Sequence, residues 1–256
     1  TATDSAFRYN LNSGLYYYPY SASRTGDIRR NDISFNNAGA YFNIYQYATN
    51  YVTFIDNIIA SNGKSSTTSD IFYWRNSYGT GTFEGNIFRD NYCNCRISNL
   101  LLSLNTNSNF KFDNNTFENN VGTNILYLDT GSNTYTKTFS NNALVNNTAT
   151  SGRNIYYNAG TVAVFRNNTF VNRGGYEFYV QSSGTTPIDI RYNFWNVTTE
   201  SELLEKIFDF RDDPSKNPTL SWPMLMSPDP DDIGYNAPRL PFVGPGSTIA
   251  GKVHIL

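Results

Sequence analysis

Phe112-Asp113-Asn114-Asn115-Thr116-Phe117 returns as Phe139-Ser140-Asn141-Asn142-Ala143-Leu144 and again as Phe165-Arg166-Asn167-Asn168-Thr169-Phe170. The middle asparagine of each unit belongs to a longer series: Asn31, Asn57, Asn86, Asn115, Asn142, Asn168 and Asn193, with steps of 26, 29, 29, 27, 26 and 25 residues. Three residues before each stands a large apolar side chain: Ile28, Phe54, Phe83, Phe112, Phe139, Phe165 and Ile190. Two residues after each stands another: Ile33, Ile59, Phe88, Phe117, Leu144, Phe170 and Trp195. A second series follows five residues on, at Asn36, Asn62, Asn91, Asn120 and Asn147, and lapses at Arg173 and Thr198. Self-similarity at such a period marks a repeat architecture.

One repeat is too short and too polar to bury its own apolar residues, whereas stacked copies cover one another. The residue types decide the kind of stack. A leucine-rich repeat needs leucines in fixed register, and these are missing. Tyr, Phe, Ile, Thr and Val favour strands, and Asn, Gly and Ser mark corners. Thr82 to Phe88, Phe110 to Phe117 and Val162 to Phe170 each carry two extended runs. A third run follows at Asn43-Ile44-Tyr45, Asp70 to Tyr73, Asn99 to Leu102, Asn124 to Tyr127, Asn154 to Tyr157 and Glu177 to Val180. Three strands per turn make a β-solenoid coil, with loop insertions between the second and third runs varying the period. Asparagine suits the corners because it tolerates the left-handed conformation and its amide both donates and accepts. Stacked about 4.8 Å apart, such amides bond along the stack.

These units resemble coils of right-handed parallel β-helix proteins, the pectin-lyase-like superfamily, over roughly residues 26 to 198. Asn193-Phe194-Trp195, Thr199 to Phe210 and Asp212-Asp213-Pro214 resemble the closing element of many secreted members. Many of those carry a glycine after the tryptophan, where this chain has Asn196. The resemblance implies an all-β, right-handed parallel β-helix of about seven coils over 1-198, a capping helix over 199-213, a Pro-rich tail over 214-246 and a terminal strand over 247-256. Parallel crossovers carry the same right-handed bias. The superfamily holds polysaccharide lyases and hydrolases beside non-enzymatic surface modules, so the fold leaves function open.

The helix has its own signals. Thr199 and Glu202 form a capping box, and Leu203, Leu204, Ile207 and Phe208 make a helical stripe. Eight of the ten prolines fall in 214-246, which reads as too proline-rich for a regular sheet. Ser247 to Leu256 turns strand-like again behind Gly244-Pro245-Gly246. With no partner in its own tail, that strand is expected to pair elsewhere in the molecule or with a neighbouring copy.

Composition narrows the partners. The net charge of −2 gives no field to draw nucleic acid, and no apolar run is long enough to span a membrane. The chain opens at Thr1 without methionine, which reads as a processed or truncated segment. Four glycosylation sequons begin at Asn114, Asn146, Asn167 and Asn196, although a chain with 36 asparagines generates sequons by composition alone. Only six lysines are present, which suits an exterior or cell-surface protein. Cys93-Asn94-Cys95 has neither zinc-site nor redox-motif spacing and reads foremost as two free or locally oxidised thiols, with a local disulfide, then an intermolecular bond, as the alternatives.

Catalytic chemistry has one candidate. The position two before each ladder asparagine should face outward, and there Glu84 and Asp113 fall one coil apart. Carboxylates about 5 Å apart suit a retaining glycosidase. A solvated mixed-charge face is the preferred account, because the pair lacks the neighbouring aspartate clusters and the acidic calcium cluster that β-helix hydrolases and lyases show. Arg166 and Arg191 stack in the same row and are expected to meet solvent or a glycan. Asp229, Asp231 and Asp232 do not match an EF-hand, and the lone His254 lies in the terminal strand, so no metal or cofactor is expected. Most aromatic rings occupy inward positions, which reads as core packing.

The preferred reading is a non-catalytic extracellular structural or adhesive module, glycosylated and joined to copies of itself through 247-256 or its coil ends. A polysaccharide-active enzyme and a glycan-binding module are the alternatives. The ladder predicts that Asn115→Leu lowers the melting temperature well beyond Asn133→Leu, which falls between repeats; equal melting temperatures refute it.

Overall fold

The computed structural model describes residues 1–10, 13–17, 25–44, 50–76, 79–102, 110–131, 137–159, 163–225 and 227. Its chain winds through seven three-strand coils, about six turns. The first holds β1 (Ala2–Thr3), β2 (Ala6–Arg8) and β3 (Ser13–Tyr17); the second β4 (Thr25–Arg29), β5 (Asp32–Ser34) and β6 (Ala38–Ile44). The third holds β7 (Asn50–Ile55), β8 (Ile58–Ala60) and β9 (Phe72–Asn76); the fourth β10 (Gly79–Glu84), β11 (Ile87–Arg89) and β12 (Arg96–Leu102). The fifth holds β13 (Phe110–Asp113), β14 (Thr116–Glu118) and β15 (Val121–Gly131); the sixth β16 (Lys137–Ser140), β17 (Ala143–Val145) and β18 (Thr148–Ala159). The seventh holds β19 (Ala163–Arg166), β20 (Thr169–Val171) and β21 (Tyr176–Val180). β22 (Ile188–Asp189), α1 (Glu200–Leu204), β23 (Ile207–Phe208) and β24 (Thr219–Leu220) close the C-terminal end.

Every named pairing is parallel. The first strands of the coils, with β22 and β24, form a nine-stranded sheet; the second strands a seven-stranded one; the third strands and β23 an eight-stranded one. We call these the first, second and third sheets. Equivalent residues pair rung over rung, as Phe83 does with Phe54 and Phe112. Inside, the rings stack in the same register. Phe54–Phe83, Phe83–Phe112 and Phe139–Phe165 lie 5.0, 4.9 and 4.8 Å apart, and Phe88–Phe117 4.5 Å. Near-parallel contacts of this kind add to the area that the rings bury.

Both asparagine series form continuous ladders. The backbone N–H and Nδ2 of Asn31 donate to Asn57 Oδ1 at 3.0 and 2.9 Å. The same pair of bonds runs from Asn57 to Asn86, Asn115, Asn142, Asn168 and Asn193. The second Nδ2 proton returns to the backbone one rung back, as from Asn115 to Phe83 O at 3.1 Å. Each inner amide is therefore satisfied on both of its atoms, as burial demands.

The second ladder corrects the expected lapse at Arg173. It starts at Asn10, passes Asn36, Asn62, Asn91, Asn120 and Asn147, and continues to Asn172. The seventh coil is shorter by one residue, so its ladder amide falls one place early. Asn172 then donates from N and Nδ2 to the two carboxylate oxygens of buried Glu177, at 2.7 and 2.6 Å. Burial pushes the Glu177 carboxyl up despite those donors.

The left-handed corner conformation does not fall on the ladder asparagines. It falls on the residue before each except Asn172, such as Asp56, Asn114, Asn141 and Asn167, with φ of 55, 54, 57 and 57°. The ladder residue itself needs its N–H and amide aimed along the axis, so its neighbour takes the strained φ. Loop length varies between second and third strands, as expected, and also between the third strand and the next coil.

Three closing features differ from expectation. The helix is only Glu200–Leu204, with the Thr199–Glu202 capping box in place. Ile207 and Phe208 leave it to pair with Phe178 and Tyr179, which buries Ile207 and supplies strand partners instead. The proline-rich segment contributes β24, bonded to β22, and the 247-256 strand lies outside the described residues, as does Asn133. Asn196 has φ of 53°, the region a glycine at that place would occupy. Trp195, Leu203, Ile207, Met224 and Leu225 are buried under this cap. Cys93 and Cys95, read first as thiols, are joined in a disulfide; the bend at Asn94 brings their Cα atoms to 5.1 Å.

Lys137 opens β16 in register with Ala163 and is fully buried. Burial pulls its ammonium down from 10.5 to about 8. The unfolded chain binds that proton more tightly, so stability is lower below pH 8 and rises as pH climbs toward 10.5. Lys137→Met is expected to remove this rise in stability between pH 8 and the ordinary lysine range. Chemical denaturation across pH 7 to about 11 measures it; a pH-independent difference contradicts the assignment.

Candidate functional site

The first sheet places the carboxylates where the sequence put them. Glu84 and Asp113 are in register on β10 and β13. Lys111, two residues before Asp113 on β13, bridges them, its Nζ 2.9 Å from Glu84 Oε2 and 3.1 Å from Asp113 Oδ2. Ser140 Oγ and Asn141 Nδ2 also donate to Asp113 Oδ1, each at 2.8 Å. Partial burial alone would raise the Asp113 carboxyl, but the Ser140, Asn141 and Lys111 donors outweigh it and hold the group below its ordinary range. A proton donor to a glycosidic oxygen needs the opposite shift. This cluster is built as an ion-paired surface network.

Arg166 and Arg191 were expected to meet solvent or a glycan. Both instead converge on Asp189: Arg166 Nη1 at 2.6 Å, Arg191 Nε at 3.0 Å and Arg191 Nη2 at 2.9 Å. Burial opposes ionisation of Asp189, yet the Arg191 and Arg166 bonds hold it well below the usual carboxylate range. Arg166 also lies 5.1 Å over the Tyr192 ring. These cations brace the last coils.

The four sequon asparagines share one conformation. Asn114, Asn146, Asn167 and Asn196 all have positive φ, between 53 and 57°. Asn114, Asn146 and Asn196 are exposed, and Asn167 is half-buried. In the first three sequons the next residue is the buried ladder asparagine, and Thr116, Thr148 and Thr169 each open a strand. Corner asparagine, ladder asparagine and strand-opening threonine are what a coil requires, so the Asn-Asn-Thr triplets follow from the fold. The same geometry leaves their first amides pointing away from the core.

The third sheet carries an outward aromatic row that the sequence reading passed over. Tyr127, Tyr156, Tyr179 and Phe208 stack coin-like along the axis, with ring centroids 5.0, 5.7 and 4.4 Å apart. Arg96 lies 4.7 Å over Tyr127 and Arg153 4.4 Å over Tyr179. Asp70 anchors Arg96 at 3.0 Å. Asp70, Arg96, Asn124, Tyr127 and Tyr156 line a shallow hollow of about 290 Å³. Burial and the neighbouring Tyr127 push the Tyr156 phenol up. The signal was available: Leu126, Ile155 and Phe178 face inward, so strand alternation turns the next residue out.

Among the described residues no three His, Cys, Asp or Glu side chains converge as metal ligands. Asp229, Asp231, Asp232 and His254 lie outside the described residues. Among the described residues no helix is long and apolar enough to cross a membrane. No protein-family model, curated protein or solved structure matches the chain.

The network predicts a downshifted Asp113 titration. Carbon-13 NMR of the carboxyl should give a midpoint below that of an exposed aspartate, moving upward in Lys111→Met. A midpoint above the ordinary value would instead mark a proton donor.

Proposed function

We propose that this chain is an extracellular structural or adhesive module of the pectin-lyase-like type, glycosylated at its corners and self-associating end to end. The observation that carries the reading is the pair of amide ladders, from Asn31 to Asn193 and from Asn10 to Asn172, buried through the inner coils, with the core sealed at the C-terminal end. Such a rod keeps its length and straightness through contacts between neighbouring coils, which is what a spacer or fibre subunit needs. The Cys93–Cys95 disulfide agrees with an oxidising compartment outside the cytosol. The exposed corner asparagines agree with glycan attachment at Asn114, Asn146 and Asn196, with Asn167 more shielded.

A second reading is favoured by the third-sheet face. Tyrosine edges, two ring-stacked arginines and the Asp70, Asn124 and Asn158 side chains offer the aromatic and bidentate polar contacts of a glycan-binding surface without turnover. A polysaccharide-active enzyme using Glu84 and Asp113 would need one of them as a proton donor, a role Lys111 opposes.

Secretion from a eukaryotic host followed by electron microscopy and glycopeptide mass spectrometry tests the proposal. Filaments or end-to-end dimers, with glycan on Asn114 or Asn146, are expected. Isolated monomers at high concentration contradict the assembly, and sugar release from a polysaccharide panel abolished by Glu84→Gln contradicts the non-catalytic role.

A further inference from the structure

The second ladder turns its corner on one residue per coil, and most of these residues are short. Ser61, Asp90, Asn119 and Asn146 stand just before Asn62, Asn91, Asn120 and Asn147, each with φ between 53 and 57°. Tyr9 and Phe35 hold the same place before Asn10 and Asn36, with φ of 59 and 57°. A bulky side chain in that region is strained, whereas asparagine and aspartate tolerate it. Both rings are also exposed, Tyr9 at 76% and Phe35 at 49%. They burden the fold twice, with backbone strain and with apolar surface left in water.

Other long side chains at left-handed corners are engaged. Arg30 pairs with Asp4 at 2.6 Å, and the Tyr192 ring lies under the guanidiniums of Arg166 and Arg191, at 5.1 and 5.9 Å. Phe35 has Tyr9 alone, 5.3 Å away on the side of the first coil, with the ring planes 9° apart. The stack stops there because the next rung carries Ser61. Phe35, Tyr9, Asn37, Ser61 and Lys64 line a hollow of about 390 Å³ beside the open face. Buried Thr67 holds its polar rim: Thr67 Oγ1 accepts from the Lys64 backbone N–H at 3.0 Å and donates to Asn37 Oδ1 at 2.9 Å. Asn37 Nδ2, Ser61 Oγ and Lys64 Nζ then remain as donors without a partner among the described residues.

We propose that this corner binds one pyranose ring of a glycan, its C–H face laid on Phe35 and its hydroxyls held by Ser61, Asn37 and Lys64. An aromatic face framed by donors disfavours other ligands. A hydrocarbon chain or a partner's aromatic side chain would cover those donors and leave them unpaired. A bare anion would use Lys64 and leave the ring idle. A pyranose carries both halves: C–H bonds that meet the negative face of an aromatic ring, and hydroxyls that accept from the surrounding donors. The site lies on the corner between the second and third sheets, at the second and third coils. It is distinct from the outward Tyr127–Tyr156–Tyr179 row on the fifth to seventh coils, and it depends on neither glycosylation nor end-to-end assembly of the chain.

Saturation-transfer NMR with methyl β-glucopyranoside, methyl β-galactopyranoside and methyl α-mannopyranoside tests this on the chain and on Phe35→Asn and Tyr156→Ser. One or more of the probes should bind with a Kd of about 1 mM, the scale for a ligand of about a dozen non-hydrogen atoms. Saturation should be strongest on the C–H protons of one ring face. Phe35→Asn should weaken binding by about tenfold or more, through loss of the aromatic face. Its melting temperature should hold or rise, because asparagine suits the left-handed corner. Tyr156→Ser should bind as the parent does. Absence of binding by every probe overturns the inference, as does binding that survives Phe35→Asn. Binding lost in Tyr156→Ser instead moves the sugar to the third sheet and overturns it as well. A lower melting temperature in Phe35→Asn would make Phe35 a structural contact of the first coil, which also overturns the assignment.

Discussion

A polar side chain can be buried at a chain corner only if each of its hydrogen-bonding atoms finds a partner, and in this protein that partner is the same side chain one rung away. An unmet buried amide costs roughly 1–3 kcal/mol for each group left over, whereas a met one contributes about 1 kcal/mol per bond. The asymmetry locks the coils together. Replacing Asn115 would take the shared acceptor from the backbone N–H and Nδ2 of Asn86, one of two donors from Asn142 Oδ1, and the side-chain donor from Phe83 O. Register along the axis is thus set by amides, and the stacked phenylalanines fill the space that this register defines.

The same constraint governs the surface. Because the ladder residue must aim along the axis, its predecessor absorbs the left-handed turn, and short polar residues fill most of those places. Tyr9, Arg30, Phe35 and Tyr192 are exceptions with positive φ, and the exposed rings of Tyr9 and Phe35 stack 5.3 Å apart on the first two coils. Outward rows then inherit rung-over-rung alignment whether or not they have a function. Charges that would repel in such rows are interleaved with opposite ones, as Lys111 is with Glu84 and Asp113, or Asp189 with two arginines.

Much of this was legible in the sequence because the repeat is carried by residues whose role is positional. Asn115 with Phe112 and Phe117 announces a corner between two inward-facing strands. The capping box at Thr199 was equally plain. Features that depend on competition between local and long-range contacts were not legible. Ile207 and Phe208 continue a helical stripe, yet parallel pairing with β21 claims them. Arg173 stood in the expected ladder place, but a coil one residue shorter hands the position to Asn172 and ends the series on Glu177. The Tyr127–Tyr156–Tyr179 face needed only strict strand alternation in the third run; attention to inward rings hid it. The Arg166 and Arg191 pair looked like a bare cationic row because Asp189, two residues before Arg191, stands in the neighbouring row, in register with Val164.

The central claim is that two continuous amide ladders hold the coil. Solvent exchange of asparagine side-chain Nδ2 protons, read by NMR, tests it most directly. The account predicts that the amides of Asn57, Asn86, Asn115, Asn142 and Asn168, and of Asn62, Asn91 and Asn120, exchange as slowly as the core backbone. Corner amides such as Asn114 and Asn119 should exchange freely. Fast exchange at all of these asparagines alike would contradict it.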